Sequence, residues 1–146
     1  MPGKSTAPSL ARTAAVEDYL ERILELINTK GYARVVDIAE RLGISQASVT
    51  NMVQRLDAEG LLQYEKYRGL ILTTAGESLA INITRRHESL TEFLNLLGLD
   101  AETVYRDVEG MEHHVSPDTL NAIRRLSKWL SEHPQVLNEI TSQSSK

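Results

Sequence analysis

The sequence predicts a mainly α-helical protein in which an N-terminal winged helix-turn-helix precedes a helical domain. Aromatic residues make up only 5% of a chain that is 41% hydrophobic, so Leu, Ile and Ala supply most of its apolar side chains. These side chains recur at the three- and four-residue spacing of amphipathic helices over most of the sequence. Near residue 65, two short segments with strand-like patterning interrupt the helices, as a β-hairpin would.

Three helical segments come first along the chain. Apolar residues at helical spacing predict a helix over residues 14–28, and a short helix is expected over residues 35–42. Ser45 can cap the third helix, because its hydroxyl can accept a hydrogen bond from a backbone N–H of the first turn. A glycine follows each of the three segments, and glycine commonly ends helices. Two short helices followed by a hairpin is the element order of a winged helix-turn-helix.

The hairpin and the helical domain complete the chain. Strands are expected over residues 62–65 and 70–73, and a long helix from Gly76 to about residue 97. A further helix is expected over residues 101–114, and Pro117 opens the next one at its first position, where proline is tolerated.

The domain boundaries follow from these elements. We assign the winged helix-turn-helix to residues 14–76 and the helical domain to residues 77–140, with a disordered tail over residues 1–13 and a frayed end over residues 141–146. The chain has no cysteine, which excludes disulfides and thiolate metal sites. No apolar run approaches the roughly 18 residues of a membrane span. A cytoplasmic protein without a membrane partner is the simplest expectation.

The polar face of the third helix suggests that the first domain binds double-stranded DNA. Its residues are small or carry amides, so the helix can enter the major groove and pair with base edges. Polar residues at the helix start can hold phosphates, and bases at the hairpin tip can reach the DNA backbone. The candidate DNA-contacting residues are Ser45, Gln46, Ala47, Ser48, Thr50, Asn51, Gln54, Lys66 and Arg68. A net charge of −4 argues against this function, and an ordinary helical hairpin with a solvated polar face is the alternative.

Acidic and histidine side chains form a second candidate site. The residues concerned are Asp18, Glu21, His87, Glu109, Glu112 and His113. The first two share a face of the first helix, and the last three have the i, i+3, i+4 spacing of one helix side. Carboxylates and imidazoles suit divalent manganese, iron or cobalt better than copper(I) or structural zinc. Solvated acids on a helix face, and a hydrogen-bonded core histidine at position 87, are the ordinary alternatives.

Several stretches of the chain resemble one known family. They are VEDYLE at 16–21, KGYARVVDIAE at 30–40, SVTNMVQRL at 48–56, YEKYRGL at 64–70, RH at 86–87 and DVEGMEHH at 107–114. All of them resemble the manganese transport regulators of the diphtheria-toxin-repressor family, and the resemblance covers residues 14–132. It implies a homodimeric, manganese-responsive transcriptional repressor that silences metal-uptake genes at a palindromic operator and performs no catalysis.

The resemblance also implies which residues bind metal. It assigns two Mn²⁺ per subunit, between the DNA-binding and dimerisation domains, to the six candidate side chains above. Iron-sensing relatives have Met at the position of Asp18 and Cys at that of Glu109, so oxygen ligands at both favour the manganese branch. An iron-responsive repressor of the same family and a winged-helix regulator that answers to an organic ligand are the alternatives. A di-metal carboxylate enzyme fits less well, because Thr84 and Gly110 stand where its Glu-x-x-His pairs need Glu.

Overall fold

The structure, a computed structural model, describes residues 13–65 and 67–143. Nearly all of the predicted N-terminal tail, the last three residues of the chain and Lys66 therefore lie outside the described residues. The elements are α1 (Ala14–Lys30), α2 (Val35–Leu42), α3 (Gln46–Ala58), β1 (Leu62–Glu65), β2 (Gly69–Leu72), α4 (Thr74–Leu96), α5 (Ala101–Met111), α6 (Pro117–Glu132) and α7 (Pro134–Ser142). The predicted fold class, mainly α with a winged helix-turn-helix first, is confirmed. Within the described ranges, no helix has the length and hydropathy needed to cross a membrane.

The chain forms two compact units, one ending at Ile83 and the other beginning at Thr84. In the first unit, the apolar faces of α1, α2 and α3 pack with the hairpin and the start of α4 around one core. Leu20, Ile38 and Leu56 are fully buried there, one from each of the three helices. The predicted cap of α3 is present, since the Ser48 N–H donates a hydrogen bond to the Ser45 hydroxyl at 3.2 Å.

The two strands form an antiparallel hairpin in which Leu62 lies opposite Leu72 and Tyr64 opposite Leu70. Residue 33 joins the sheet through a single bridge, in which the Leu70 N–H donates to the Ala33 carbonyl at 2.8 Å. The hairpin therefore contacts the segment that precedes α2 as well as the core of the first unit.

Helix α4 begins at Thr74, two residues before the glycine that the sequence suggested as its start. Thr73 acts as the cap, because its hydroxyl accepts a hydrogen bond from the Gly76 N–H at 3.1 Å. Gly76 lies inside the first turn because the chain is crowded there: a Cβ at this position would be 1.8 Å from the Leu61 carbonyl oxygen. This glycine thus permits a close approach of backbone to backbone and does not break the helix.

The second unit has its own small core, in which Leu90 and Leu94 of α4 pack with Val104 and Val108 of α5 and with Leu120 of α6. Helix α5 ends at Met111, so it is shorter than the predicted segment to residue 114. The chain also folds into a separate helix after His133, α7, that the sequence analysis did not predict. Pro134 stands in its first turn, where a missing backbone N–H has no consequence.

Candidate metal centre and DNA interface

The second unit brings three of the six candidate ligands together. His87 lies in the middle of α4, and Glu112 and His113 directly follow the last residue of α5. The His87 Nδ1 atom is 2.7 Å from Glu112 Oε2, within hydrogen-bond distance, and His113 Nε2 is 3.5 Å from Glu112 Oε1. One carboxylate therefore stands between two imidazoles, although the three residues come from segments 25 positions apart.

Glu112 is fully buried, with 0% of its surface exposed. Its Oε1 atom has no hydrogen-bond partner among the described residues. Burying a carboxylate oxygen without a hydrogen-bond partner costs free energy, because the oxygen loses its hydration and accepts no hydrogen bond in its place. An oxygen of this kind beside imidazole nitrogens suits a divalent first-row cation, so the donor set of this unit fits a metal ion.

Arg86, which the sequence analysis did not single out, contributes charge next to this cluster. Burial lowers the pKa of the Arg86 guanidinium from its usual value, and the negative charge of Glu112 opposes that shift. The guanidinium thus offsets part of the carboxylate's charge. No spacing rule identifies such a residue, so its charge beside Glu112 is seen only in the structure.

The other three candidates lie on α5 and α1. Glu109 lies on α5, three residues before Glu112, and is half-buried. In the described part of the chain, no hydrogen bond or ion pair joins Glu109 to the three clustered residues. Asp18 and Glu21 lie in the first unit, both on α1 and both half-buried, three residues apart as predicted. Because both side chains are only partly exposed, they are not the fully solvated acids of the alternative interpretation.

Helix α3 presents the predicted DNA-contacting face. Its apolar side is buried through Val49, Val53 and Leu56. The candidates on the helix and at its cap are all exposed, namely Ser45, Gln46, Ala47, Ser48, Thr50, Asn51 and Gln54. The Ser45 hydroxyl also donates a hydrogen bond to the Ser48 hydroxyl at 2.9 Å, so both serines are already engaged in the cap. Of the two bases at the hairpin tip, Arg68 is exposed and 3.6 Å from the Glu65 carboxylate, and Lys66 lies outside the described residues.

Two family models match the two halves of the chain. Residues 12–70 match the model described as "Iron dependent repressor, N-terminal DNA binding domain". Residues 73–141 match the model described as "Iron dependent repressor, metal binding and dimerisation domain". The chain belongs to the iron-dependent repressor family. It is accordingly a metal-responsive transcriptional repressor that binds DNA and divalent metal and forms homodimers, as the resemblance of the sequence implied.

Individual relatives agree with the family assignment. The chain is 48% identical over 128 residues to the HTH-type transcriptional regulator MntR of Lysinibacillus sphaericus, covering 88% of this chain and 92% of that protein. It is 46% identical over 134 residues to MntR of Bacillus velezensis, covering 92% and 94%. These relatives are named as transcriptional regulators and not as enzymes.

Solved structures show the same fold over part of their length. The structure of the manganese regulator SloR has a TM-score of 0.69 at 32% identity, over 77% of this chain and 53% of that one. The metal-dependent transcriptional regulator MtsR has a TM-score of 0.72 at 27% identity, over 75% and 52%. The chain thus spans about half the length of these structures, whereas it spans nearly all of the MntR proteins above.

Proposed function

We propose that this repressor responds to manganese and binds two Mn²⁺ per subunit. The observation that carries the proposal is the buried Glu112 carboxylate between His87 and His113, with one oxygen that has no hydrogen-bond partner in the described residues. Oxygen and imidazole donors suit manganese, and the chain has no thiolate to favour softer ions. The naming of its relatives as MntR supports the same metal.

The proposed ligands are the six residues with these donor types, three of which lie together in the second unit. They are Asp18, Glu21, His87, Glu109, Glu112 and His113. Bound cations would supply the positive charge that these four carboxylates need. Since Asp18 and Glu21 belong to the first unit and the other four to the second, side chains holding the same ions would restrict the motion of one unit against the other.

The DNA side of the proposal follows from the dimer. Two copies of α3 in a symmetric dimer would read two half-sites about one helical turn or a small multiple apart, so the operator is expected to be palindromic. Metal occupancy and DNA binding are then linked, and each must tighten the other by the same factor. We assign the protein to the cytoplasm, where it would silence metal-uptake genes when manganese is plentiful.

Operator binding in the presence of different metals tests this function. A duplex selected from random sequence by the wild-type protein serves as the probe, and its affinity is measured with Mn(II), Fe(II), Zn(II) and chelator at one ionic strength. Manganese should convert weak, non-specific binding into tight binding. Equal affinity in chelator and in manganese would rule out a metal switch.

An iron-responsive repressor is the second candidate, because the family models are described as iron dependent. The same experiment separates the two. Full activation by Fe(II) at free concentrations where Mn(II) has no effect would favour iron over manganese.

A further inference from the structure

Two tyrosines of the hairpin are unusually exposed for residues of their size. Tyr64 on β1 is 70% exposed, and Tyr67 in the turn is 89% exposed. Isolated apolar residues on a surface are common, but two large aromatic rings on one four-residue stretch suggest a surface that contacts a partner. Neither residue belongs to the DNA-contacting set that the sequence predicted.

Tyr64 lies on the core-facing side of the hairpin. Side chains alternate along a strand, so it shares a face with Leu62, which is fully buried. It also stands directly opposite Leu70, which is 1% exposed and lies on the same face. This face therefore continues past the core and leaves an aromatic ring at its edge.

A groove of about 440 Å³ lies beside this ring. Its lining includes Val36 at the start of α2 together with Tyr64, Tyr67 and Leu70 of the hairpin. Arg34 also lines it and lies against the hairpin, because a Cβ on Gly69 would be only 3.4 Å from Arg34 Cγ. The groove is thus lined by apolar side chains, two tyrosines and one arginine.

The backbone of Tyr67 adds an independent observation. Its φ angle is +76°, and among the described residues it alone has a positive φ without being glycine. A bulky side chain costs free energy in this conformation, and such strain is found where the position serves a function. Tyrosine occupies this position at the tip of the hairpin despite the cost, although glycine would fit the same backbone without strain.

We propose that Tyr64 and Tyr67 contact the sugar–phosphate backbone of the operator, with their hydroxyls donating hydrogen bonds to phosphate oxygens. The proposal rests on DNA binding by this domain and not on the identity of the metal. Tyrosine hydroxyls are common donors to phosphate, and the rings can pack on the deoxyribose. Two arginines lie near these tyrosines, since the exposed Arg68 directly follows Tyr67 on the hairpin and Arg34 lines the groove.

Salt dependence separates this role from that of the neighbouring cation. A lysine or arginine on a phosphate releases counterions, so its removal flattens the dependence of affinity on salt. A tyrosine carries no charge and releases none. Loss of a tyrosine contact should therefore weaken binding by the same factor at every salt concentration.

The test uses the full-length, metal-activated dimer and fluorescence anisotropy at several salt concentrations. Two duplexes are needed, one selected from random sequence by the wild type and one scrambled. Tyr64→Ala and Tyr67→Gly should each weaken binding about 10-fold on both duplexes with an unchanged salt slope, which is the loss expected for a hydrogen bond to a charged acceptor. Tyr64→Phe and Tyr67→Phe should show most of that loss. Arg68→Ala should instead lower the salt slope by about one.

Gln63→Ala is the matched control, because Gln63 is exposed on the same strand but belongs to its opposite face. It should bind like the wild type. Tyr67→Gly removes the backbone strain, so this variant should be at least as thermally stable as the wild type. A loss of binding by this variant therefore cannot come from misfolding. Wild-type affinity for both duplexes in Tyr64→Ala and Tyr67→Gly would overturn the proposal. If the wild type enriches no duplex from the random pool, DNA binding itself is overturned as well.

Discussion

The His87 Nδ1 atom lies 2.7 Å from Glu112 Oε2, so a histidine from the middle of α4 is paired with the carboxylate that directly follows α5. The second oxygen of that carboxylate faces His113 at 3.5 Å and accepts no hydrogen bond from the described residues. Because Glu112 is completely buried, water cannot satisfy this oxygen. The arrangement explains why one glutamate, among several acidic residues of the second unit, is expected to dominate metal binding.

Glu112→Gln tests this dominance. The substitution keeps the shape of the side chain and removes its charge, so the chain should still fold. We expect its affinity for Mn(II) to fall at least about 10- to 100-fold, the scale on which changes around metal sites act. Isothermal titration calorimetry with Mn(II) measures the affinity directly. Glu102→Gln, an exposed position on the same helix, is the control and should bind manganese like the wild type. Unchanged affinity in Glu112→Gln would remove this residue from the ligand set.

The exposed face of α3 should determine sequence preference. Asn51→Ala and Gln54→Ala are each expected to cost about 1–3 kcal/mol on the preferred duplex and little on a scrambled one, because amides read base edges. Lys66→Ala and Arg68→Ala should weaken both duplexes alike and flatten the salt dependence. Binding assays over a salt series measure both effects. Altered base preference in the hairpin variants, without any in the helix variants, would mean that the roles are reversed.

Two glycines in helices should respond to alanine in opposite directions. Gly76→Ala places a methyl group against the Leu61 carbonyl and should lower the free energy of unfolding by about 2–3 kcal/mol. Gly110→Ala meets no atom within 4 Å and should raise it by about 0.5–1 kcal/mol, because alanine favours the helix. Chemical denaturation of the metal-free protein measures both values. A neutral effect of Gly76→Ala would show that the backbone can move apart at this contact.

Much of the fold could be predicted because its signals are local. The cap at Ser45 and the proline at position 117 each mark a helix start, and both lie where the sequence analysis placed them. The errors came from contacts between distant residues. Gly76 marks a helix start in the sequence pattern because nothing in the sequence shows its approach to Leu61, and α7, which begins at Pro134, is not among the predicted helices.

The residue types of the candidate site could be predicted from the sequence, but the burial of each residue could not. Spacing grouped Glu109, Glu112 and His113 on one helix side, but α5 ends at Met111, so only Glu109 lies within the helix and the other two directly follow it. Spacing could not show that Glu112 is fully buried whereas Glu109 is only partly so, since burial depends on packing between elements that are far apart in the sequence. For the same reason the role of Arg86 became visible only in three dimensions.

Metal selectivity is expected to reside in Asp18 and Glu109. Manganese binds a given site more weakly than the later first-row metals do, so affinity alone cannot select it. A manganese sensor must instead respond only when the bound ions have the correct number and geometry.

Asp18→Met replaces a hard oxygen donor by a soft thioether on the same face of α1 and leaves the buried residues of that helix unchanged. The variant should still fold and dimerise, require at least about 10-fold more Mn(II) for activation, and respond to Fe(II) or Co(II) as well as or better than to Mn(II). Glu25→Gln is the control and should keep the wild-type order of metals. It changes a half-buried acid on the same helix that is paired with Arg22 and Arg41. Operator binding across the metal series at matched free concentrations decides the question. An unaltered order in Asp18→Met would exclude Asp18 from the site and would remove a main reason for assigning manganese in preference to iron.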